Sequence, residues 1–414
     1  MKVLAAYPWP AFWSMGEGRG APSFFLSVTS FPKHGHEMHV VMPGTPGCPA
    51  EEDYHGVTLH RFPTTTDYMP DASSGKLAQH WRMRSSYRHW MATAVPALRR
   101  VAGTFGPDVL FGMGALGAPA ARAVAQERGV PNVTRLFGTS IGEVLGNAVK
   151  YRLRYREINA FRTPADAIIL CDDGSGGDEI ARMLGVDMEK LRFWPNGVDR
   201  ELLRGDVDTD GLRARLEILR GAPVVLSVSR LDGEKRVDRL INAAPELLRR
   251  RPEAVIVVAG DGPARRDLDE LSVKLGVFDH VRFAGVLERE QLAAAYRLAS
   301  LFVTLSERTN VLNPLHEAMT AGLPVVALDT GRTGMVVRNN ETGVLLTKSG
   351  LDVLGTTLAD LLEDEGRRER LGRAAARDAD SRLPGIEERQ RMEVDVVEEV
   401  VRRATGEATT TEAM

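Results

Sequence analysis

The chain carries two successive trains of short apolar runs, each run followed by a longer stretch of helical periodicity. In the first train the runs fall at residues 3–7, 39–42, 57–62, 109–112, 132–136 and 167–171. The second restarts at 224–229 and continues at 254–259, 280–284, 301–305 and 324–327. Runs apolar on both faces and separated by helix-length stretches are the pattern of parallel strands covered on each side by crossover helices. Two trains predict two doubly wound parallel sheets. A chain of 414 residues has room for both, because single cores rarely grow past about 250–300 residues. Pro195-Asn196-Gly197 has turn chemistry between the trains, so the expected units are 1–195 and 196–385, facing each other across a cleft. A charged helical stretch, 386–403, follows, and 404–414 reads as a frayed tail.

Composition narrows the function. A net charge of −3 and a pI near 6.4 leave no general field for nucleic acid, and no aromatic-rich basic motif is present. Cys48 and Cys171 are far apart and lack metal spacing, which fits a reduced, cytoplasmic setting better than a disulfide framework. No run approaches the roughly 20 apolar residues of a membrane helix. There is no Gly-x-Ser-x-Gly elbow and no metal-spaced histidine cluster, so hydrolase and metalloenzyme chemistry have no footing. His34, His36 and His39 read as packing or solvated residues at a helix-to-strand turn.

The residues that could carry chemistry cluster beyond strand ends, where parallel sheets bind ligands. The run 224–229 ends in Arg230, with Lys235 close behind. A guanidinium can fork onto phosphate oxygens and an ammonium supplies a point charge. The segment 306–322 is a polar loop leading into a helix with Glu317 on its early turns, and helix N-termini favour anions. Two cations beside a helix N-terminus suggest a diphosphate.

These blocks resemble a known family. Ser229-Arg230-Leu231-Asp232-Gly233-Glu234-Lys235, Val258-Ala259-Gly260-Asp261-Gly262-Pro263, Val281-Arg282-Phe283-Ala284-Gly285 and Glu317-Ala318-Met319 look like the donor half of family 4 retaining glycosyltransferases. Trp194-Pro195-Asn196-Gly197-Val198-Asp199 resembles its interdomain segment and Gly35-His36-Glu37-Met38 its first helix-to-strand join. The resemblance implies the GT-B fold, with two Rossmann-like domains, the acceptor on the first and a nucleoside-diphosphate sugar on the second. It also implies no cofactor or metal, and a last helix that packs back on the first domain. Arg230 and Lys235 would stabilise the diphosphate as the glycosidic bond breaks, and Glu317 would hold the ribose hydroxyls.

The chain also departs from the family pattern. Where the family has a second Glu that contacts the donor sugar, this chain has Thr309. Asn310, Val311 and Leu312 replace the usual Gly-Phe-Gly, with backbone N–H groups expected to face phosphate. Glu307 is out of register by two residues. The family's His after the run 132–136 is missing, so Thr139 and Ser140 are expected to supply polar contacts there. Gly18, Arg19 and Gly20, in a glycine-rich loop after the first strand, are expected to touch the diphosphate from the other domain. Glu288 is expected to face the base, where a carboxylate could accept from guanine's N1 and N2 edge. This favours GDP over UDP.

Tryptophans 9, 13, 81 and 90 all fall in the expected first domain, and Trp13 with its neighbouring rings could hold an aromatic, aliphatic or cationic acceptor. Arginines 82, 84, 88, 152, 154 and 156 fit either peripheral docking on anionic lipid or, the preferred reading, solvated faces of amphipathic helices. The expected activity is therefore sugar transfer to a small molecule, with a role in antibiotic or low-molecular-weight thiol glycosides. The alternatives are a non-catalytic nucleotide-sugar-binding partner of another transferase and a sugar-nucleotide epimerase. Nothing in the sequence sets the oligomeric state.

Overall fold

The computed structural model describes residues 1–10, 22–45, 47–63 and 76–406. Trp13, Gly18, Arg19 and Gly20 lie outside the described residues, as does the tail from 407.

The first sheet comprises β1 (Lys2–Ala6), β2 (Glu37–Gly44), β3 (Glu51–Tyr54), β4 (Val57–Pro63), β5 (Val109–Met113), β6 (Asn132–Leu136), β7 (Ala167–Cys171) and β8 (Leu191–Trp194). Its order is β3-β4-β2-β1-β5-β6-β7-β8, parallel throughout except for β3, which pairs antiparallel with β4. The second sheet comprises β9 (Val224–Val228), β10 (Val255–Ala259), β11 (Val281–Gly285), β12 (Leu301–Thr304), β13 (Val325–Leu328) and β14 (Gly343–Leu346). It is parallel, in the order β11-β10-β9-β12-β13-β14.

Both sheets are buried on two faces. In β1, Val3 and Ala5 face one apolar cluster while Leu4 and Ala6 face another. In β9, Val224 and Leu226 point one way and Val225 the other. Each face is covered by helices, which is why the strands read as continuous apolar runs. β3, β8 and β14 escape the sequence pattern. They are short strands at or near sheet edges, and β3 is the polar Glu-Glu-Asp-Tyr.

The chain passes between the sheets twice, and the two crossings run side by side. Val198 N–H donates to Pro384 O at 3.0 Å and Ile386 N–H to Val198 O at 3.1 Å. A Cβ on Gly197 would stand 2.7 Å from Gly385 O and 2.8 Å from Ile386 Cα, so only glycine permits this approach. Beyond the second crossing, the helix Ile386–Thr405 lies on the first sheet with Val394, Val397 and Val400 in its core. Glu393, 4% exposed, meets Arg135 at 2.7 Å and Arg389 at 2.9 Å. His36 of the first helix-to-strand turn joins Glu398 at 2.9 Å, and Cys171 lies buried in β7 as a free thiol.

Candidate active site

At the carboxyl end of β9 the backbone bends sharply toward the loop that follows β10. Ser229 N–H donates to Ala259 O at 3.0 Å and Leu231 N–H to Asp261 O at 2.9 Å. Gly260 makes this possible: its φ is +128°, and a Cβ there would lie 1.9 Å from Ser229 O. The loop is then closed by Asp232, whose Oδ1 accepts from the N–H groups of Glu234 at 2.9 Å and Lys235 at 3.1 Å.

A small pocket opens here, lined by Ser229 and Lys235 of this loop together with Thr304, Asn310, Leu312 and Pro314. The Lys235 side chain is 18% exposed, with Glu234 3.8 Å away. Burial lowers its pKa against the opposing pull of Glu234 and Asp232. Beside it the Ser229 hydroxyl is buried without a protein partner. A desolvated ammonium and an unpartnered hydroxyl at a strand end are suited to an anionic, oxygen-rich group. Arg230 stands differently. Its guanidinium is 57% exposed and held by Asp232 at 2.6 Å, and it does not line the pocket.

Glu317 lies on the helix Asn313–Thr320, beyond the pocket-lining Pro314 and Leu315. It is half-buried and accepts from the Tyr296 hydroxyl at 2.7 Å. Burial raises its pKa, with the Tyr296 hydrogen bond working the other way.

The loop before this helix corrects the expectation of free amides. Asn310 N–H donates to Thr333 Oγ1 at 3.2 Å, Val311 N–H to Thr309 Oγ1 at 3.1 Å and Leu312 N–H to Asn310 O at 2.9 Å. The amides of Val311 and Leu312 are thus engaged within the loop and that of Asn310 by Thr333. The Asn310 side chain, 1% exposed, accepts from Thr304 and Ser306 and donates to Leu328 and Thr330. Asn310 therefore ties strand ends together. Thr309 is 9% exposed and its hydroxyl donates across the cleft to Asp173 O at 3.0 Å, so it holds the domains together instead of facing an open sugar site. Glu307 is tied into a cationic network with Arg236, Arg239 and Lys348.

Glu288 is the N-cap of the helix Arg289–Leu298 and forms a reciprocal capping box with Gln291. Sequence reasoning passed over Arg308 and Arg332, which also span the cleft. Arg308 pairs with Glu143 of the first domain and, at 3.1 Å, with Glu234 next to Lys235. Arg332 meets Asp178 at 2.7 Å and Glu179 at 2.8 Å. An arginine preceding Thr309 in the loop that faces the other domain was the available signal.

On the first domain a second cavity, about 160 Å³, lies at the carboxyl ends of β5 and β6. Trp9, Phe137, Phe161 and Glu157 are among its walls. Thr139 and Ser140 are nearby, but their hydroxyls donate to Glu157 at 3.0 and 2.6 Å. Ser140 N–H adds a third bond at 2.8 Å. They orient a carboxylate that the sequence reading missed. Trp90 is core, with its indole N–H on Leu116 O at 2.9 Å. Arg156 is buried against Ser86, which removes it from any lipid-facing row. No described helix is long and apolar enough to cross a membrane. Among the described residues no group of three or more His, Cys, Asp or Glu is placed to hold a metal.

Comparison with known proteins agrees with this layout. The profile described as glycosyl transferases group 1 matches residues 208–378, and the glycosyl transferase 4-like domain matches 28–197. The chain is 30% identical over 226 residues to alpha-D-kanosaminyltransferase of Streptomyces kanamyceticus, covering 54% of this chain and 58% of that protein. It is 34% identical over 192 residues to a GDP-mannose-dependent alpha-(1-6)-phosphatidylinositol monomannoside mannosyltransferase of Mycolicibacterium smegmatis, covering 44% and 50%. The chain thus spans about half the length of the curated relatives it matches. In fold it is similar to sucrose-phosphate synthase from Thermosynechococcus elongatus, with a TM-score of 0.76, 17% identity, and 97% and 100% of the two chains covered. It is also similar to the Anabaena protein HepE solved with UDP and glucose, with a TM-score of 0.69, 18% identity, and 98% and 99% covered.

Proposed function

Because the chain belongs to the family 4 retaining glycosyltransferases, we propose that it moves a sugar from a nucleoside-diphosphate sugar to a small-molecule acceptor, with retention and without a metal ion. The observation that carries this reading is the pocket at the end of β9, where the half-desolvated Lys235 ammonium stands beside the unpartnered Ser229 hydroxyl. The departing diphosphate gains charge as the glycosidic bond breaks, and a cation in a poorly solvated site stabilises that charge more than it would in water.

Lys235 holds the diphosphate, and Arg230 joins it by turning from Asp232 once phosphate oxygens compete for its fork. Glu317 accepts from the ribose hydroxyls. The acceptor enters from the first domain and attacks on the face the diphosphate leaves, with a donor phosphate oxygen taking its proton. GDP remains the proposed donor nucleotide. A carboxylate accepts from more than one donor, so the capping role of Glu288 leaves it able to meet guanine, and the Mycolicibacterium smegmatis relative is described as GDP-mannose-dependent.

Thermal unfolding with UDP, GDP and ADP, each with magnesium or with EDTA, tests this. A nucleotide at a hundredfold excess over its Kd adds roughly 2.7 kcal/mol of apparent stability. The expected result is a GDP-selective shift that EDTA leaves intact and Lys235→Ala abolishes. Absence of a shift with all three nucleotides overturns the reading.

A further inference from the structure

The cavity on the first domain has a chemistry of its own. Its walls include the rings of Trp9, Phe137 and Phe161, and one charged side chain, Glu157. The rings are fixed by their neighbours: Phe24 stacks on Phe137 with centroids 3.6 Å apart and meets Trp9 edge-on at 4.9 Å. At about 160 Å³ the space admits a six-membered ring, since a cavity of about 150 Å³ takes benzene.

The Glu157 carboxylate is aimed by three neutral donors. Its Oε2 accepts from Thr139 Oγ1 and Ser140 N–H, and its Oε1 from Ser140 Oγ. These bonds fix direction without cancelling charge, and a carboxylate has about four acceptor positions. Among the described residues Arg154 forms a loose ion pair with Glu157, 3.9 Å from Oε1, too long for a direct hydrogen bond. Arg135 lies 4.5 Å from the Phe137 ring centroid but is paired with Glu393 at 2.7 Å. A second carboxylate stands behind the cavity wall: a Cβ on Gly138 would lie 2.0 Å from Asp173 Oδ2. An anion entering this space would meet like charge at both carboxylates.

The geometry points to an acceptor that is a cyclic, amine-bearing polyol, seated with its ring against Trp9 and Phe137 and its ammonium on Glu157. The assignment rests on the transferase reading above, and it excludes phosphorylated acceptors. Aromatic faces take the apolar side of such a ring and attract its cation, while Glu157 supplies a charge-assisted hydrogen bond.

The test titrates three probes, D-glucosamine, D-glucose and D-glucose 6-phosphate, onto the full chain saturated with the nucleotide that stabilises it, with saturation-transfer NMR as the readout. Glucosamine should bind roughly tenfold or more tighter than glucose 6-phosphate, the scale of one hydrogen bond to a charged partner. Glu157→Gln should erase the amine's advantage over glucose while leaving glucose itself unchanged, and Glu157→Asp should restore part of it. Preference for the phosphate ester, equal binding of the three, binding of none, or an advantage that survives Glu157→Gln overturns the assignment. If the Gln variant does not fold, the order of the three probes on the wild type decides. A nucleotide shift that persists while the probe order fails removes only this inference and leaves the donor site standing.

Discussion

The Thr309 hydroxyl donates to the backbone carbonyl of Asp173 at 3.0 Å, one domain to the other. The same oxygen accepts from Val311 N–H at 3.1 Å, so one small side chain closes its own loop and docks it. The fit is tight: a Cβ on Gly174 would stand 2.6 Å from Thr309 Oγ1, and one on Gly331 3.1 Å from Thr309 Cβ. Thr309→Val keeps the shape and removes both bonds, leaving a buried carbonyl and amide without this partner. It should cost about 1–3 kcal/mol, read from urea unfolding. Thr309→Glu, which restores the acid expected from the family pattern, forces a carboxylate into this contact beside Asp173 and should cost more than the Val variant.

In its proposed role at the ribose, Glu317 should make nucleotide binding pH-dependent. Burial lifts its pKa above the ordinary carboxylate range, only partly offset by the Tyr296 hydroxyl. For a carboxyl with a raised folded pKa, the native state binds the proton more readily than the unfolded one. Its contribution to folding therefore grows more favourable as pH falls through the folded pKa toward about 4.3. Binding runs in the opposite direction, because only the carboxylate accepts from both ribose hydroxyls. Nucleotide affinity should fall on acidification before ordinary carboxylates titrate. Glu317→Gln should bind about tenfold more weakly with a flatter acid limb, both measured by calorimetric titration.

Glu393 fastens the last helix to the first sheet. Burial pushes its carboxyl up, but the Arg135 and then the Arg389 guanidinium outweigh burial and hold it below the usual range. Glu393→Ala leaves both guanidiniums buried without their shared partner and should cost roughly 3–5 kcal/mol. Glu393→Gln should recover some of this through hydrogen bonding. Chemical denaturation of the three proteins gives the order.

Period and burial made the two sheets legible. Strands apolar on both faces, such as 109–113, 167–171 and 255–259, can only be covered strands. The polar run 51–54 could not announce itself, because an exposed edge imposes no apolar period. The place of Lys235 on the wall of the β9 pocket was legible, because parallel sheets open their clefts beyond the carboxyl ends of strands. The loop 309–312 was not, since its amides are satisfied by Thr309, Thr333 and its own carbonyls, partners that only the folded chain brings together. Glu157 was equally hidden: it is one acid on an arginine-rich helix, and its role comes from Thr139 and Ser140, 18 and 17 residues away.

His316 sets an acid limit on stability. It sits on the same short helix as Glu317, 4% exposed, and burial, with a smaller contribution from Arg382, lowers its pKa to about 4. An unfolded histidine titrates near 6.5. Between these values the unfolded chain binds the proton and the native chain does not, so stability falls as pH drops through that window. By pH 5 the loss from this one residue should reach about 2 kcal/mol, most of the difference between the two pKa values at about 1.4 kcal/mol per unit. Urea unfolding of wild type and His316→Gln at pH 7 and pH 5 checks this. The wild type should lose about 2 kcal/mol more than the variant between the two conditions. Equal losses would mean that His316 takes up its proton without resistance, and that its burial carries no electrostatic cost.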